Sequence, residues 1–308
     1  MKTWPVTSPH PLAAPRDDAQ ASRAAQRAAT RAKTEPRALQ WLLIALAMGL
    51  VGMILVVPLV IVFSEAFTKG WALYRQSLTD PNALSAIRLT LLVAAITVPI
   101  NTVFGIAAAW AITRFRFRGK STLITLIDLP FAVSPVIAGL IFLLMFGRGG
   151  VLGAWVEAHN WKIVFAVPGI VLATLFVTFP FVARQLIAFM DSQGSEEEEA
   201  AITLGASGWQ TFWRVTLPNI KWSLLTGIIL CNARAMGEFG AVSVVSGHVQ
   251  GLTNTIPLQV EVLYNGSDEQ VTAAFVLASL LAFLGILTLA LKTVLEWKAA
   301  QQLKEGQS

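Results

Sequence analysis

The 308-residue chain is unusually apolar, with 55% hydrophobic and only 13% charged residues. Soluble globular domains carry roughly 25% charged residues, so the composition argues against a soluble monomer. The single cysteine, Cys231, excludes an internal disulfide and a cysteine-based metal cluster. The histidines His10, His159 and His248 are too far apart to suggest a helical metal motif. We therefore expect no metal site and no cofactor in this chain.

Apolar segments divide the chain into a membrane domain, residues 41–298, between two tails. Residues 1–40 are rich in Ala, Arg and Pro, which is typical of a disordered tail, and residues 299–308 form the second tail. A cleaved targeting peptide is the alternative for the N-terminus, but the run from Leu42 to Phe63 exceeds a signal-peptide core of about 7–15 residues. A membrane-spanning helix needs about 20 mostly apolar residues. Six segments qualify, at about 42–64, 86–113, 121–146, 163–190, 222–247 and 272–295. This pattern predicts an all-α, polytopic protein with six transmembrane helices.

The positions of the cations predict the orientation in the membrane. Most Lys and Arg residues fall in the N-terminal tail, the 114–120 loop, the 184–221 loop and the C-terminal end. The other side carries Lys69, Arg75, Arg88, Arg148 and Lys162. Because Lys and Arg accumulate on the cytoplasmic side, both termini are predicted to be cytoplasmic. The net charge of +5 then reports topology, and we expect membrane lipid and no nucleic acid as a partner.

One predicted cytoplasmic loop, residues 191–221, is much longer than the others, and its sequence predicts two short helices. Ser195 and Glu198 form a possible capping box, and the acidic run that follows favours a helix N-terminus. Gly205 is expected to break this helix, and Pro218 is expected to end a second one over 209–215.

The spacing within this loop carries a resemblance. The order is Glu199-Ala200-Ala201, three residues, Gly205, nine residues, then Val215-Thr216-Leu217-Pro218. It resembles the EAA loop of ABC importer permeases, with Val215 where Ile is usual. The resemblance implies a type I importer permease fold and a coupling helix that docks on a separate ATPase. It places Glu199, Ala200, Ala201, Gly205, Val215, Leu217 and Pro218 at or beside that contact. The alternative is an acidic, solvated helix face.

Motifs that would supply chemistry within the chain are missing from the sequence. Gly119-Lys120-Ser121-Thr122 looks like the end of a phosphate-binding loop, but Arg114 occupies the upstream glycine position and no buried strand precedes it. No H-E-x-x-H or G-x-S-x-G motif is present. We expect no catalytic site in the chain, and ATP and Mg²⁺ bound by a partner.

The fifth predicted span contains Asn232, Arg234 and Glu238. A charge near the centre of a spanning helix costs about 2.5–3.5 kcal/mol on insertion scales, so these side chains should face the bundle or water. Four residues apart, Arg234 and Glu238 share a helix face and can neutralise each other. Two interpretations of this pair remain: it lines a translocation pathway for an anion, or it is a structural ion pair.

Further segments, including residues 128–139, 205–219 and 232–247, resemble the permeases of sulfate and thiosulfate ABC importers. The resemblance covers about residues 40–298 and implies alternating-access import across the bacterial inner membrane. It implies as partners a related permease of the CysT type, two copies of a P-loop ATPase and a periplasmic sulfate-binding protein. Molybdate or tungstate permeases are the nearest alternative. A secondary transporter using Arg234 and Glu238 is more distant, since the sequence shows neither an inverted repeat nor paired broken helices.

Overall fold

The structure is a computed structural model that describes residues 37–305. Most of the predicted N-terminal tail, residues 1–36, and residues 306–308 of the predicted C-terminal tail lie outside this range. Helix begins at Arg37 and ends at Glu305, so regular structure extends a few residues into each predicted tail. All regular elements of the described residues are helical, which confirms the all-α prediction.

In chain order, the α-helices of the described residues have the following bounds. They are α1 (Arg37–Phe67), α2 (Gly70–Thr79), α3 (Pro81–Arg114), α4 (Lys120–Ala132), α5 (Pro135–Phe146), α6 (Gly153–Ala158), α7 (Val167–Gln193), α8 (Glu196–Thr203), α9 (Gly208–Thr211), α10 (Leu217–Met236), α11 (Gly240–Ser246), α12 (Ile256–Tyr264) and α13 (Asp268–Glu305). A π-helical segment, Phe212–Thr216, joins α9 to α10.

Membrane-spanning length and apolarity are found in four uninterrupted helical segments of the described chain. These are Leu39–Phe67, Pro81–Arg114, Val167–Gln193 and Asp268–Lys298. Two bent pairs also pass the same test, α4 with α5 and Gly208–Met236 with α11. The described residues therefore provide up to six spans if each bent pair crosses once, in line with the predicted polytopic fold.

The two bent pairs correct the sequence-based view that paired broken helices are absent. The α4–α5 pair bends by 107°, and the second pair bends by 49°. At the first break Val133 and Ser134 are extended before Pro135, as expected because a proline disfavours helical geometry in the residue that precedes it. Pro99 and Pro180 lie inside the uninterrupted helices α3 and α7. Proline content alone therefore does not locate the breaks.

The chain divides into two units at Pro58. In the first unit the described residues form the N-terminal part of α1, and its large apolar side chains are exposed, among them Trp41, Met48 and Leu55. The second unit begins at Leu59 and contains the helical bundle.

Helix α7 forms the centre of the bundle and packs against α3, α4 and α10. Its residues Val182, Ala183 and Leu186 are fully buried. A Cβ atom built on Gly105 of α3 would lie 2.7 Å from Val182 Cγ1 and 3.1 Å from the Ala183 nitrogen. Glycine at this position therefore allows α3 and α7 to approach closely, as small residues do between membrane helices.

A buried polar cluster joins α3, α7 and α10 within the bundle. Asn101 of α3 donates to Thr178 Oγ1 of α7 at 2.7 Å and to Cys231 Sγ of α10 at 3.8 Å. The Thr178 hydroxyl donates in turn to the Thr174 carbonyl at 2.6 Å. Hydrogen bonds between side chains of this kind link membrane helices.

Helices α5 and α11, the second halves of the two bent pairs, pack directly against each other. A Cβ atom on Gly139 would lie 2.6 Å from the Ala241 carbonyl oxygen, and one on Gly240 would lie 3.0 Å from Pro135 Cβ. The two breaks are therefore neighbours in space, and residues from both spans meet there.

Candidate functional site

The coupling loop, residues 195–218, begins with α8, whose predicted capping box is wrong. Ser195 precedes α8 but makes no side-chain cap, and its hydroxyl donates to Glu199 Oε1 at 2.6 Å. Glu198 is the predicted partner of Ser195, but its carboxylate binds Arg114 of α3 instead. Glu199, Ala200 and Ala201 lie on α8, as the resemblance implies.

Gly205 ends the first arm of the coupling loop, as predicted. Its φ angle is +90°, a conformation that residues with a side chain rarely adopt. The amide of Gly205 donates to the Ile202 carbonyl at 2.9 Å, and the amide of Ala206 donates to the Ala201 carbonyl at 3.0 Å. These bonds satisfy carbonyl groups at the end of α8 and reverse the chain direction.

The second arm begins at Ser207, where the capping box of this loop is found. Ser207 Oγ accepts from the Gln210 amide at 3.3 Å, and Gln210 Oε1 accepts from the Ser207 amide at 2.9 Å. The prediction that Pro218 ends the second helix is wrong, because helix continues from Gly208 to Met236. Pro218 lies in the first turn of α10, directly after the π-helical segment, and because it has no N–H it donates no hydrogen bond to the preceding turn. The π-helical segment upstream contains Val215, and Leu217 begins α10.

An ion pair between α3 and α8 anchors the coupling loop to the bundle. Arg114 Nε and Nη2 donate to Glu198 Oε1 at 3.1 and 2.9 Å, and the two side chains are only 10% and 12% exposed. Arg114 Nη1 also donates to the Met190 carbonyl near the end of α7 at 3.3 Å. Thr216 donates to the same Glu198 oxygen at 3.3 Å. The sequence contains no sign of this role for Glu198, since its partner is 84 residues away.

The coupling loop exposes several large apolar side chains. These four side chains, which we call the docking face for the role proposed below, are Ile202 (57% exposed), Leu204 (89%), Trp209 (66%) and Trp213 (50%). Trp209 and Trp213 pack edge to face with ring centroids 5.6 Å apart. A group of exposed large apolar side chains on one loop is typical of a protein interaction site. The sequence motif points to Glu199 and Gly205, whereas the exposed large apolar side chains of the loop are these four residues.

The predicted ion pair at the second helix break is present. Arg234, in the last turn of α10, pairs with Glu238, whose side chain is 1% exposed against 31% for Arg234. Glu238 Oε1 also accepts from the Ala241 amide at 2.9 Å, in the first turn of α11. Glu238 therefore bridges the break, because one carboxylate binds the end of α10 and the start of α11.

Asn232, the third predicted residue of this region, is placed differently. Its amide donates to Met236 Sδ at 4.0 Å, and none of its described hydrogen bonds reaches Arg234 or Glu238. The structure thus brings the Arg–Glu pair together and leaves Asn232 on a separate contact. No group of three or more potential metal ligands is found among the described residues.

A family model described as "Binding-protein-dependent transport system inner membrane component" matches residues 101–300. The chain belongs to this family. This permease is therefore a multi-pass membrane protein, and the match includes both the coupling loop and the Arg234–Glu238 pair.

Individual relatives narrow the assignment within the family. The permease is 53% identical over 268 residues to the sulfate transport system permease protein CysW of Escherichia coli K12, covering 87% of this chain and 91% of the relative. It is 51% identical to CysW of Synechocystis, covering 83% and 92% of the two chains. It is 36% identical to the sulfate transport system permease protein CysT of Escherichia coli K12, covering 77% and 87%. These relatives support a permease of the CysW type.

Solved structures support the fold independently. A bacterial ABC transporter involved in the import of the acidic polysaccharide alginate superposes with a TM-score of 0.66, covering 85% of this chain and 96% of that chain at 16% identity. A bacterial alginate ABC transporter in complex with an alginate pentasaccharide-bound periplasmic protein has a TM-score of 0.64, covering 83% of this chain and 92% of that chain at 16% identity. The predicted ABC importer permease fold is confirmed.

Proposed function

We propose that this permease is one subunit of an ATP-driven importer that moves sulfate or thiosulfate into the cytoplasm by alternating access. The observation that carries the choice of anion is the similarity to relatives named as sulfate transport permeases, at 53% and 51% identity over most of the chain. Family membership favours this function over a secondary transporter, although the bent spans would suit either class.

The proposed complex has a related permease of the CysT type as the second membrane subunit, two copies of a P-loop ATPase and a periplasmic sulfate-binding protein. ATP and Mg²⁺ bind to the ATPase, and this chain supplies no catalytic group. The 36% identity to a CysT permease supports pairing of two related chains. The complex lies in the bacterial inner membrane with both termini cytoplasmic, an orientation supported by the distribution of cations.

The coupling loop is proposed to contact the ATPase. The docking face offers exposed apolar side chains for that contact, and Glu199 offers a charge for a cation on the partner. Arg114 and Thr216 hold Glu198 of the same loop against α3 and the start of α10. Movement of the docked loop would therefore be transmitted to these helices.

The opposite end of α7 is proposed to face the periplasmic binding protein. There the loops between α5 and α7 surround a cavity of about 860 Å³, whose lining includes Arg148, Trp161 and Lys162. The cavity adjoins the C-terminal end of α5 and so lies beyond the second half of a broken span. An anion released at this end would enter at the C-terminal end of α5, and the helix breaks lie at the other end of this helix, about 18 Å away.

Uptake by the reconstituted complex tests the proposed substrate. Proteoliposomes containing the full importer should accumulate labelled sulfate in the presence of ATP, and excess thiosulfate should compete. Labelled molybdate should be accumulated much more slowly. Faster uptake of molybdate than of sulfate would overturn the anion assignment and leave the ABC mechanism intact. Sulfate uptake that persists without ATP would overturn the mechanism.

A further inference from the structure

The segment between α3 and α4 alternates cations with aromatic residues. Residues 114–120 read Arg-Phe-Arg-Phe-Arg-Gly-Lys, and we call them the basic-aromatic segment. Phe115 and Phe117 are 51% and 41% exposed, and Arg116 and Arg118 are exposed as well. Exposed phenylalanines between exposed cations are unusual on a loop that is surrounded only by water. They suit an environment that is apolar on one side and charged on the other.

We propose that the basic-aromatic segment binds the phosphate headgroup of an anionic phospholipid. This assignment goes beyond the proposed function, and it does not depend on which anion the permease carries. Positive-inside topology explains why cations occur in this loop, but it does not require exposed phenylalanines between them or a cavity beside them.

The charges of the segment support this occupant. Arg114 binds the carboxylate of Glu198. Among the described residues, Arg116, Arg118 and Lys120 form no salt bridge with an acidic side chain. Three cations without an acidic partner on a short loop complement a negatively charged headgroup.

The shape of the surface also supports a headgroup. A cavity of about 550 Å³ lies beside the segment, and Arg116 and Lys120 contribute to its lining together with Trp110 and Phe115. The carboxylate of Glu198 in the same lining is neutralised by Arg114, and that of Glu199 accepts from Ser195. Arg116 and Lys120 outnumber the remaining carboxylate of Glu199, so the cavity keeps a net positive charge beside an aromatic wall.

The position of the segment places it at the membrane surface. It follows the last turn of the 34-residue helix α3 and precedes the first half of a bent span. Trp110, one turn earlier, packs edge to face with Phe115 at 5.5 Å between ring centroids. Tryptophans at this level form the interfacial belt of membrane proteins. The Phe side chains can therefore enter the bilayer while the Arg side chains reach the phosphates.

The site adjoins the coupling loop. Arg114 joins the segment to α8, and Glu199 and Ile202 of α8 line the same cavity. A bound headgroup would therefore lie between the bilayer and the loop that is proposed to contact the ATPase. The test must accordingly separate lipid from that protein.

Photo-crosslinking of lipids to the assembled importer tests the proposal. The complex is placed in phosphatidylcholine nanodiscs with a small amount of photoactivatable phosphatidylglycerol or, in parallel, photoactivatable phosphatidylcholine. Labelled peptides are then identified by mass spectrometry. We expect the peptide containing residues 115–120 to be labelled by phosphatidylglycerol well above phosphatidylcholine. Equal labelling by both lipids would overturn the proposal, since it would show proximity without headgroup recognition.

Two charge-matched variants test whether Arg116 and Arg118 bind the phosphatidylglycerol headgroup. Arg116→Gln with Arg118→Gln should reduce phosphatidylglycerol labelling by roughly fivefold per cation removed. Arg75→Gln with Arg88→Gln removes the same charge at exposed positions outside the segment and should leave labelling unchanged. Labelling that survives in the first variant would overturn the proposal. Gel filtration checks that both variants assemble, and Phe117→Ser, which keeps all cations, provides a second test by weakening insertion and lowering labelling.

Two further controls distinguish a bound lipid from the ATPase and from a free anion. Labelling that appears only when the ATPase is left out would assign the surface to that partner and overturn the proposal. Labelling abolished by millimolar inorganic phosphate would indicate a site for free anions and would also overturn it. Labelling that persists in the full importer and in the presence of phosphate supports the lipid site.

Discussion

Arg114 of α3 holds Glu198 of the coupling loop by two hydrogen bonds to one carboxylate oxygen, at 3.1 and 2.9 Å. Both side chains are nearly buried, so water screens the pair little. The same arginine reaches the Met190 carbonyl at the end of α7. One residue therefore ties the coupling loop to two central helices.

The Arg114–Glu198 pair should be needed for a stable complex. Glu198→Ala leaves the guanidinium without its carboxylate and should destabilise the complex by about 1–3 kcal/mol, since a nearly buried donor loses its partner. The measurement is the thermal unfolding midpoint of the purified importer. Glu196→Ala, at an exposed position of the same helix, is the matched control and should have little effect. Arg114→Met combined with Glu198→Met should recover stability, and failure to recover would point to a role beyond the pair.

The turn at Gly205 should be required for coupling. An alanine at φ of +90° costs roughly 1–2 kcal/mol, so Gly205→Ala should distort the loop and raise the ATP consumed per sulfate transported in proteoliposomes. Gly208→Ala is the control, because both glycines have open space around a Cβ atom and only Gly205 has a positive φ. An unchanged ratio for Gly205→Ala would contradict the coupling role of this turn.

The contact between α5 and α11 should not tolerate a methyl group. Gly139→Ala places Cβ 2.6 Å from the Ala241 carbonyl oxygen, which belongs to the backbone and cannot rotate away. Overpacking of this kind typically costs about 1–3 kcal/mol, and we expect a lower yield of assembled complex on gel filtration. Gly285→Ala in α13 meets no atom within 4 Å and should be neutral or slightly stabilising. Equal losses in both variants would contradict the packing account.

The roles of Arg234 and Glu238 can be separated because the two residues have different contacts. Arg234→Met alone leaves a carboxylate that is 1% exposed without its cation, so impaired assembly would be expected from this burial alone. Adding Glu238→Gln removes that charge, and the glutamine oxygen can still accept from the Ala241 amide. We expect the double variant to assemble. If the pair lies on the pathway, sulfate uptake by the double variant is lost, whereas normal uptake assigns the pair to packing.

Glu238→Ala extends this comparison to the helix break itself. It removes both the ion pair and the bond to the Ala241 amide, whereas Glu238→Gln removes only the charge. If the bond to α11 orders the break, Glu238→Ala should lower assembly more than Glu238→Gln does. The measurement is again the yield of complex on gel filtration, and equal yields would contradict a capping role.

Cys231 offers a chemical probe of the bundle core. It is the only cysteine of the chain and is fully buried beside Asn101 and Thr178. We expect no reaction with a maleimide in the folded importer and full reaction after denaturation in dodecyl sulfate. Rapid labelling of the folded complex, scored by a mass shift of this chain, would contradict the packing of α3, α7 and α10.

Local chemistry explains which features the sequence predicts well. Gly205 is recognisable because a left-handed turn favours glycine whatever surrounds it, and the apolar spans are recognisable because hydrocarbon demands length and composition. The capping box is harder to place, and the acidic run favours the wrong serine. Both Ser195 and Ser207 are followed three residues later by Glu or Gln, and the choice depends on Arg114, which binds Glu198 from another helix.

The helix breaks escape sequence-based prediction for a related reason. Pro99, Pro135 and Pro180 look alike along the chain, but of these three only Pro135 follows a break. Packing decides the outcome, since α3 and α7 remain helical within the bundle while α5 turns to meet α11. Glu238 is recognisable in the sequence as one half of an ion pair, but its bond to α11 depends on a bend that periodicity cannot show.

The continuous helical segment from Gly208 to Met236, which includes the π-helical turn and Pro218, provides the permease with a lever. At 1.5 Å per residue it is roughly 40 Å long, so a tilt of about 5° at one end displaces the other by about 3–4 Å. The docking face lies at one end of this lever, and the Arg234–Glu238 pair lies at the other. A small rotation imposed on the coupling loop would thus be amplified where the second span bends, without any chain of intermediate contacts.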